Sequence, residues 1–560
     1  MTPILQTAAP FPRTPKRSLR SLSLSALSFS VLLAWTIGLQ WAGGAYRAEF
    51  SGYPDEPAHY VSGLMVRDYV AAGFPVSPLK YAEDYYMHYP KVAFGMWGPL
   101  PHLAEGIWML VFSWSRTSIL LMMAVVTTVL AYTLSQVLWT EFSYIAGLAA
   151  GMALVAVRFV QLYTGMVMAD NLCALFDFLA ILSFGRFLAS DRRRDAVFFG
   201  LFACLSVLTK GNGIALALVP PFGVLITRRF DLFKRLNFWI PAVMVVAVAG
   251  PWQYISSRLL SGIATRVVDW RIAAAYGPMF VSILGPWLLP VVLVGIYDRV
   301  IVPFRHKAVQ STWAAAAALL PAFWVFHGLV PSASAEERYV IAVVAPLLMF
   351  FTAGVAKIAA LIPTTQISYR IKASALAVLA ALIFTGTSFG IPQKQSYGFS
   401  EVAQYITSRP DAPESVMLIS SEAFGEGIMI AEIAMRDHRP GLIVLRATKL
   451  LARLNWVGEK YELLYRTPEE TMARLQEIPV RFLVVDKTPG LHPIPHHQNI
   501  LKMLAMYPDR WQPLGIYPQK VPVTATNCKI EVYRLVGDEN RPRSKIRLDL
   551  RYSLGRFIEQ

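Results

Sequence analysis

Apolar runs of about 17–25 residues, each long enough to cross a hydrocarbon core, recur along this 560-residue chain until position 390 and then stop. They fall at roughly 21–44, 117–139, 142–163, 171–189, 236–252, 278–297, 311–330, 339–356 and 373–390. Two shorter runs, 196–209 and 213–227, meet at Lys210-Gly211-Asn212-Gly213 and are marginal as full spans, so a shallow hairpin is the rival reading there. Together the runs predict about eleven spans. A long loop, 45–116, separates the first two. It holds an amphipathic stretch at 57–72, a Pro/aromatic segment at 85–101, and a short apolar stretch at 100–114 that reads as a helix lying at the membrane surface, with a true span as the alternative. Beyond 391 the pattern changes. Short apolar runs at 416–419, 442–445 and 481–485 suit buried strands, helical patterns occupy 423–436, 468–476 and 498–507, and 529–535 alternates like one more strand. Such alternation predicts a small α/β domain over 391–545, followed by a basic tail, 546–560.

Composition agrees. With 55% hydrophobic and only 16% charged residues, the chain is too apolar for a soluble globule, which carries roughly 25% charge. A polytopic α-helical membrane protein is the expected class. The net charge of +16 does not imply a nucleic-acid partner, because the basic residues form short clusters between spans. Arg13, Lys16, Arg17 and Arg20 place the tail 1–20 on the cytoplasmic side; Arg192-Arg193-Arg194, Arg228-Arg229 and Lys234-Arg235 return to that side. An inner loop near Glu141 is not basic, which does not reverse the orientation. An odd span count then puts the first loop and the domain from 391 outside, as expected for a multi-pass protein of a bacterial-type inner membrane. The first run reads as an uncleaved span, since no clear small-residue cleavage site precedes Tyr46. Cys173, Cys204 and Cys528 lie far apart and offer neither a disulfide framework nor metal-ligand spacing.

Within the first loop, the run Gly52-Tyr53-Pro54-Asp55-Glu56-Pro57-Ala58-His59-Tyr60 sets two adjacent carboxylates between prolines at the mouth of a span. One carboxylate of such a pair can take a proton from an attacking hydroxyl while the other holds a partner or a metal. A helix N-terminus would also favour acids there, and the two readings are compatible. The expected topology gathers His59, His88, His102, Asp170, Lys210, Arg266, Asp269, Arg271 and Arg338 at the same face. Each has a plain structural reading: snorkelling, capping (Asp170 opens a span), or pairing of Arg338 with Glu336 or Glu337. Lys210 sits in no phosphate-binding P-loop, yet a lysine in a turn between apolar helices has to find an anion or an interface, and lipid phosphate suits it. Arg338 suits a phosphate through two parallel hydrogen bonds. His88 and His102 are lone histidines of a loop, more often structural than ligands. Glu56 and His59, three apart, are the candidate metal ligands if a divalent metal is the cofactor.

These pieces, in this order, resemble the GT-C-fold glycosyltransferases of the protein O-mannosyltransferase and aminoarabinose-lipid A transferase superfamily. The matching elements are Asp55-Glu56 after the first span, Gly98-Pro99-Leu100-Pro101, Asp170 opening a later span, Thr209-Lys210-Gly211, and Glu337-Arg338-Tyr339 before Pro346, over roughly 25–390. The loop 253–277 matches no motif. The resemblance implies a GT-C catalytic domain over 21–390 and inverting transfer of a hexosyl or pentosyl unit from a polyprenyl-phosphate donor. The acceptor would be a protein, glycolipid or polysaccharide, in envelope glycosylation at the extracytoplasmic face. It implies Asp55 as the base, Glu56 beside it in the catalytic pair to position the acceptor or a metal, and Asp170, Lys210, Arg266, Arg271, Arg338 and His88 as substrate-binding residues. Two rivals are a transporter or flippase for lipid-linked sugars and a non-catalytic envelope assembly factor. Transporters tend to carry internal inverted repeats, and none is visible here.

Overall fold

The computed structural model describes residues 19–260, 268, 270–330, 335–363, 367–454, 461–478, 480–488, 494–520, 528–537, 546–550 and 556–559. The first span is α1 (Leu19–Ala42), and four helices build the loop and its exit: α2 (Glu56–Ala71), α3 (Pro78–His88), α4 (Pro99–Val111) and α5 (Arg116–Glu141). Prolines start three of them. Pro57, Pro78 and Pro99 stand in first turns, where the missing N–H has no partner to lose. The sequence pattern predicts no helix at α3, yet its Lys-Glu-Asp face is solvated while Ala82, Tyr85 and Tyr86 are buried. α4 packs on α2 and leaves Leu103, Ile107, Leu110 and Val111 exposed.

The bundle continues through α6 (Tyr144–Ala156), α7 (Arg158–Thr164), α8 (Asp170–Ser190), α9 (Arg193–Thr209), a 3-10 stretch (Gly211–Leu218) and α10 (Val219–Thr227). Then follow α11 (Leu236–Val248), α12 (Gly250–Leu260), α13 (Trp270–Leu284), α14 (Leu289–Ile296), α15 (Val302–Arg305), α16 (Ser311–Leu329), α17 (Ile341–Leu361) and α18 (Tyr369–Thr387). Among the described residues six helices are long and apolar enough to cross a membrane, or nine if each bent pair is one span. Hydropathy predicts about eleven; the remaining two runs are those flanking Lys210. Three expected straight spans are broken. The runs 142–163, 236–252 and 278–297 bend by 67°, 43° and 101°. Gly250-Pro251 and Gly285-Pro286 sit at two of the breaks, where proline removes a helix hydrogen bond, and Gly285 has φ +84°.

The C-terminal region holds α19 (Phe399–Thr407), α20 (Ala423–Arg436), α21 (Ala447–Leu450), α22 (Pro468–Glu477) and α23 (Pro495–Met506). Its strands are β1 (Val416–Ser420), β2 (Ile443–Arg446), β3 (Ala452–Arg453), β4 (Glu462–Leu463), β5 (Val480–Asp486), β6 (Trp511–Pro518), β7 (Lys529–Leu535), β8 (Arg547–Leu550) and β9 (Arg556–Glu559). The main sheet runs β2-β1-β5-β7-β6, parallel through β2, β1 and β5 and antiparallel beyond. β6 escapes the sequence pattern because Pro513, Gly515 and Pro518 interrupt it; as an edge strand it tolerates them.

The first loop and this sheet share one core. Tyr60, Val61, Leu64, Tyr85 and Tyr86 pack in the same buried cluster as Leu418, Val444 and Val484. Polar locks reinforce it: Arg116 donates to both Glu432 oxygens at 2.6 Å, and Arg439 donates to Asp68 at 2.7 Å. The α2 N-terminus is thereby clamped between the membrane bundle and the α/β region.

Candidate active site

Asp55 is the N-cap of α2, and Glu56 is its first residue. Adjacent in sequence, they point to different partners. Glu56 is fully buried: its Oε1 accepts from Lys394 Nζ at 2.6 Å and Val167 N at 3.1 Å, and its Oε2 accepts from Gly52 N at 2.7 Å. Its oxygens thus tie the turn to Lys394, in the chain after α18. Glu56→Gln is expected to leave the Lys394 ammonium buried without its counter-charge. Breaking such a pair typically costs about 3–5 kcal/mol, to be read as a lower unfolding temperature of the purified protein. An unchanged unfolding temperature would refute this anchoring role.

Asp55 instead faces the bundle. Its Oδ2 accepts from Arg338 Nη1 at 2.8 Å, and the same guanidinium lies 2.6 Å from Glu336 through Nε. Arg338 is buried, with its guanidinium carbon 4.6 Å from the centre of the Tyr53 ring, and Tyr53 donates to Glu336 at 2.8 Å. Lys210, also buried, caps the end of α9 and donates to Asp170 at 2.5 Å. Asp170 is the first residue of α8, not its cap, so the expected capping role gives way to an ion pair. Tyr339 lies between the cations, its ring 4.8 Å from Lys210 and 5.4 Å from Arg338. Asp170, Lys210, His327, Arg338 and Tyr339 line one cavity of about 20 Å³, roughly the room for one water. Gly98 brings α4 against the end of α9, since a Cβ there would sit 1.7 Å from Leu208 O. The site is thus two buried cations, each held by an aspartate, at the rim of the bundle.

The other expected residues divide. His88, at the end of α3, places Nδ1 3.2 Å from Leu442 O in the α/β region. Arg271 is exposed at the start of α13, and Arg266 and Asp269 lie outside the described residues. His59 meets His102 and Glu105 rather than Glu56: one ligand atom from each lies within 4.8 Å of the others. Burial, with His102 close by, holds the His59 imidazole well below its usual range, and burial raises the Glu105 carboxyl.

Sequence reasoning misses Lys91. It is buried, with Nζ 3.4 Å from Pro54 O beneath the Asp55 turn. Burial, helped by Arg446, pulls its ammonium from 10.5 down to about 7. The folded protein therefore binds this proton more weakly than the unfolded chain, so stability is expected to rise as pH climbs from about 7 towards 10.5. The slope should reach up to about 1.4 kcal/mol per pH unit, and Lys91→Met should flatten it in thermal unfolding scans. Equal slopes in both proteins would show that Lys91 does not titrate there.

No family model and no curated protein sequence matches the chain. Solved structures do. ArnT from Cupriavidus metallidurans in the apo state aligns with TM-score 0.56 and 15% identity, over 91% of this chain and 98% of that one. ArnT bound to undecaprenyl phosphate gives 0.56 and 13%, over 93% and 99%. The apo oligosaccharyltransferase of Archaeoglobus fulgidus gives 0.53 and 12%, over 91% and 75%. This chain has the GT-C fold. The likeness spans both the helical bundle and the α/β region of this GT-C protein, which is a multi-pass membrane protein.

Proposed function

We propose that the protein is a membrane glycosyltransferase that moves a sugar from a polyprenyl-phosphate carrier to an acceptor oxygen. The observation that carries the reading is the pair of buried cations, Lys210 and Arg338, beside Asp55 at the rim of the bundle. Burying two cations is costly unless anions meet them, and among the described residues the anions that meet them are carboxylates that a phosphate can replace or join. The fold supports it, since the ArnT neighbour was solved with undecaprenyl phosphate bound.

In the reaction the acceptor O–H attacks the anomeric carbon while Asp55 takes its proton. The new C–O bond forms as the bond to the carrier phosphate breaks, and its electron pair leaves with the phosphate. Negative charge growing there is held by Lys210 and Arg338, already dehydrated and fixed in place. A donor phosphate competes with Asp55 for the Arg338 guanidinium, which leaves an Asp55 oxygen free for the proton. Attack opposite the leaving group inverts the sugar carbon. Asp170 holds Lys210 and acts through it. The deciding experiment is transfer by Asp55→Asn against wild type in membranes: a transporter or assembly factor would keep its activity.

The reaction face is extracytoplasmic in this reading, because the basic clusters sit on the opposite loops. Reporters fused at positions 192, 230 and 303 should report inside and one at 400 outside. An inside signal at 400 would overturn this orientation.

A further inference from the structure

Beneath the Asp55 turn, three buried polar groups converge on one another. His59 Nδ1, His102 Nε2 and Glu105 Oε1 are all enclosed and without a hydrogen-bond partner among the described residues. His59 and Glu105 are 1% exposed and His102 is 7% exposed, so water does not serve them from outside. An unpaired buried polar atom is costly, and three of them on neighbouring side chains call for a common partner. We propose that His59, His102 and Glu105 form a binding site for a divalent transition cation of the zinc type.

The donor set fits. Two imidazole nitrogens and one carboxylate oxygen are borderline ligands that suit zinc better than calcium or magnesium, which take mainly oxygen. One ligand atom from each of the three residues lies within 4.8 Å of the others, so side-chain adjustment brings the set to a common ion at about 2.0–2.2 Å. The surroundings keep the donors aimed. His59 stacks on Trp97 with centroids 4.1 Å apart, and the second nitrogen of His102 lies 3.5 Å from Glu105 Oε2. Gly63 clears the space for the carboxylate: a Cβ there would stand 2.6 Å from Glu105 Oε2. The nearby cations do not compete for Glu105, because Lys210 is met by Asp170 and Arg338 by Asp55 and Glu336.

The ion would join α2 to α4 one turn below Asp55, whose carbonyl accepts from His59 N at 3.0 Å. It thereby fixes the carboxylate's turn rather than taking part in the transfer. The site stands on its own geometry and does not depend on the proposed reaction.

The test uses untagged full-length protein in detergent, stripped by chelator and dialysed against zinc. Wild type and the exposed-histidine control His438→Asn should each retain about one zinc per chain. His102→Asn and Glu105→Gln should bind at least about a hundredfold more weakly. A cobalt titration of wild type alone covers the case where the variants fail to fold, and should give the visible absorption of a low-symmetry cobalt site. Wild type that holds no zinc and gives no cobalt band overturns the proposal, as does zinc retained equally by His102→Asn and Glu105→Gln.

Discussion

Asp55→Asn is expected to slow sugar transfer at least about a hundredfold while the protein still folds and binds donor lipid. The side chain keeps its shape, and an amide oxygen still accepts from Arg338, so the turn that caps α2 has no reason to move. What disappears is a group able to take the acceptor's proton, whose usual contribution is about 10²–10⁴ in rate. The loss should therefore appear in the turnover number and leave donor affinity within a few fold of wild type. Transfer at near-normal rate would remove Asp55 from the chemistry.

The second large effect should fall on donor affinity. Neutralising Lys210 or Arg338, as Lys210→Met or Arg338→Gln, removes a charge-assisted contact worth about 1.5–3 kcal/mol, or roughly ten- to more than a hundredfold in binding of a polyprenyl phosphate. Each change also strands a carboxylate: Asp170 loses its lysine, and Asp55 and Glu336 lose their arginine. Pairing the mutations separates the effects. In Asp170→Asn/Lys210→Met the stranded charge is gone, so stability should recover while donor affinity does not. Native mass spectrometry or a tryptophan-quenching titration with polyprenyl phosphate reads this directly. Donor binding as tight as wild type in both single variants would make these cations purely structural.

Much of this arrangement is legible in the amino-acid sequence alone. Hydropathy locates the spans because a bilayer demands long apolar stretches whatever the tertiary contacts, and the prolines around Asp55-Glu56 mark a turn entering a helix. What the sequence does not carry is pairing over distance. Asp55 meets Arg338 across 283 residues and Glu56 meets Lys394 across 338, so two neighbouring acids that look alike as letters have opposite environments. The bends at Gly250-Pro251 and Gly285-Pro286 vanish in averages taken over a whole span. Lys91 and Glu105 give no signal because a lone charge in a long loop reads as solvated; only the α/β region and α2 packing over them make them buried. His102 has no visible companion in the sequence, since His59 stands 43 positions earlier.

The central claim is tested most directly by following the sugar itself. Wild-type protein and Asp55→Asn are reconstituted in liposomes with a polyprenyl-phosphate donor carrying a labelled sugar, together with envelope extract as acceptor. The account predicts that wild type moves the label from lipid to acceptor and leaves free polyprenyl phosphate in equal amount, while Asp55→Asn leaves the label on the lipid. Label that crosses the bilayer still attached to its carrier, at the same rate in both proteins, would contradict it.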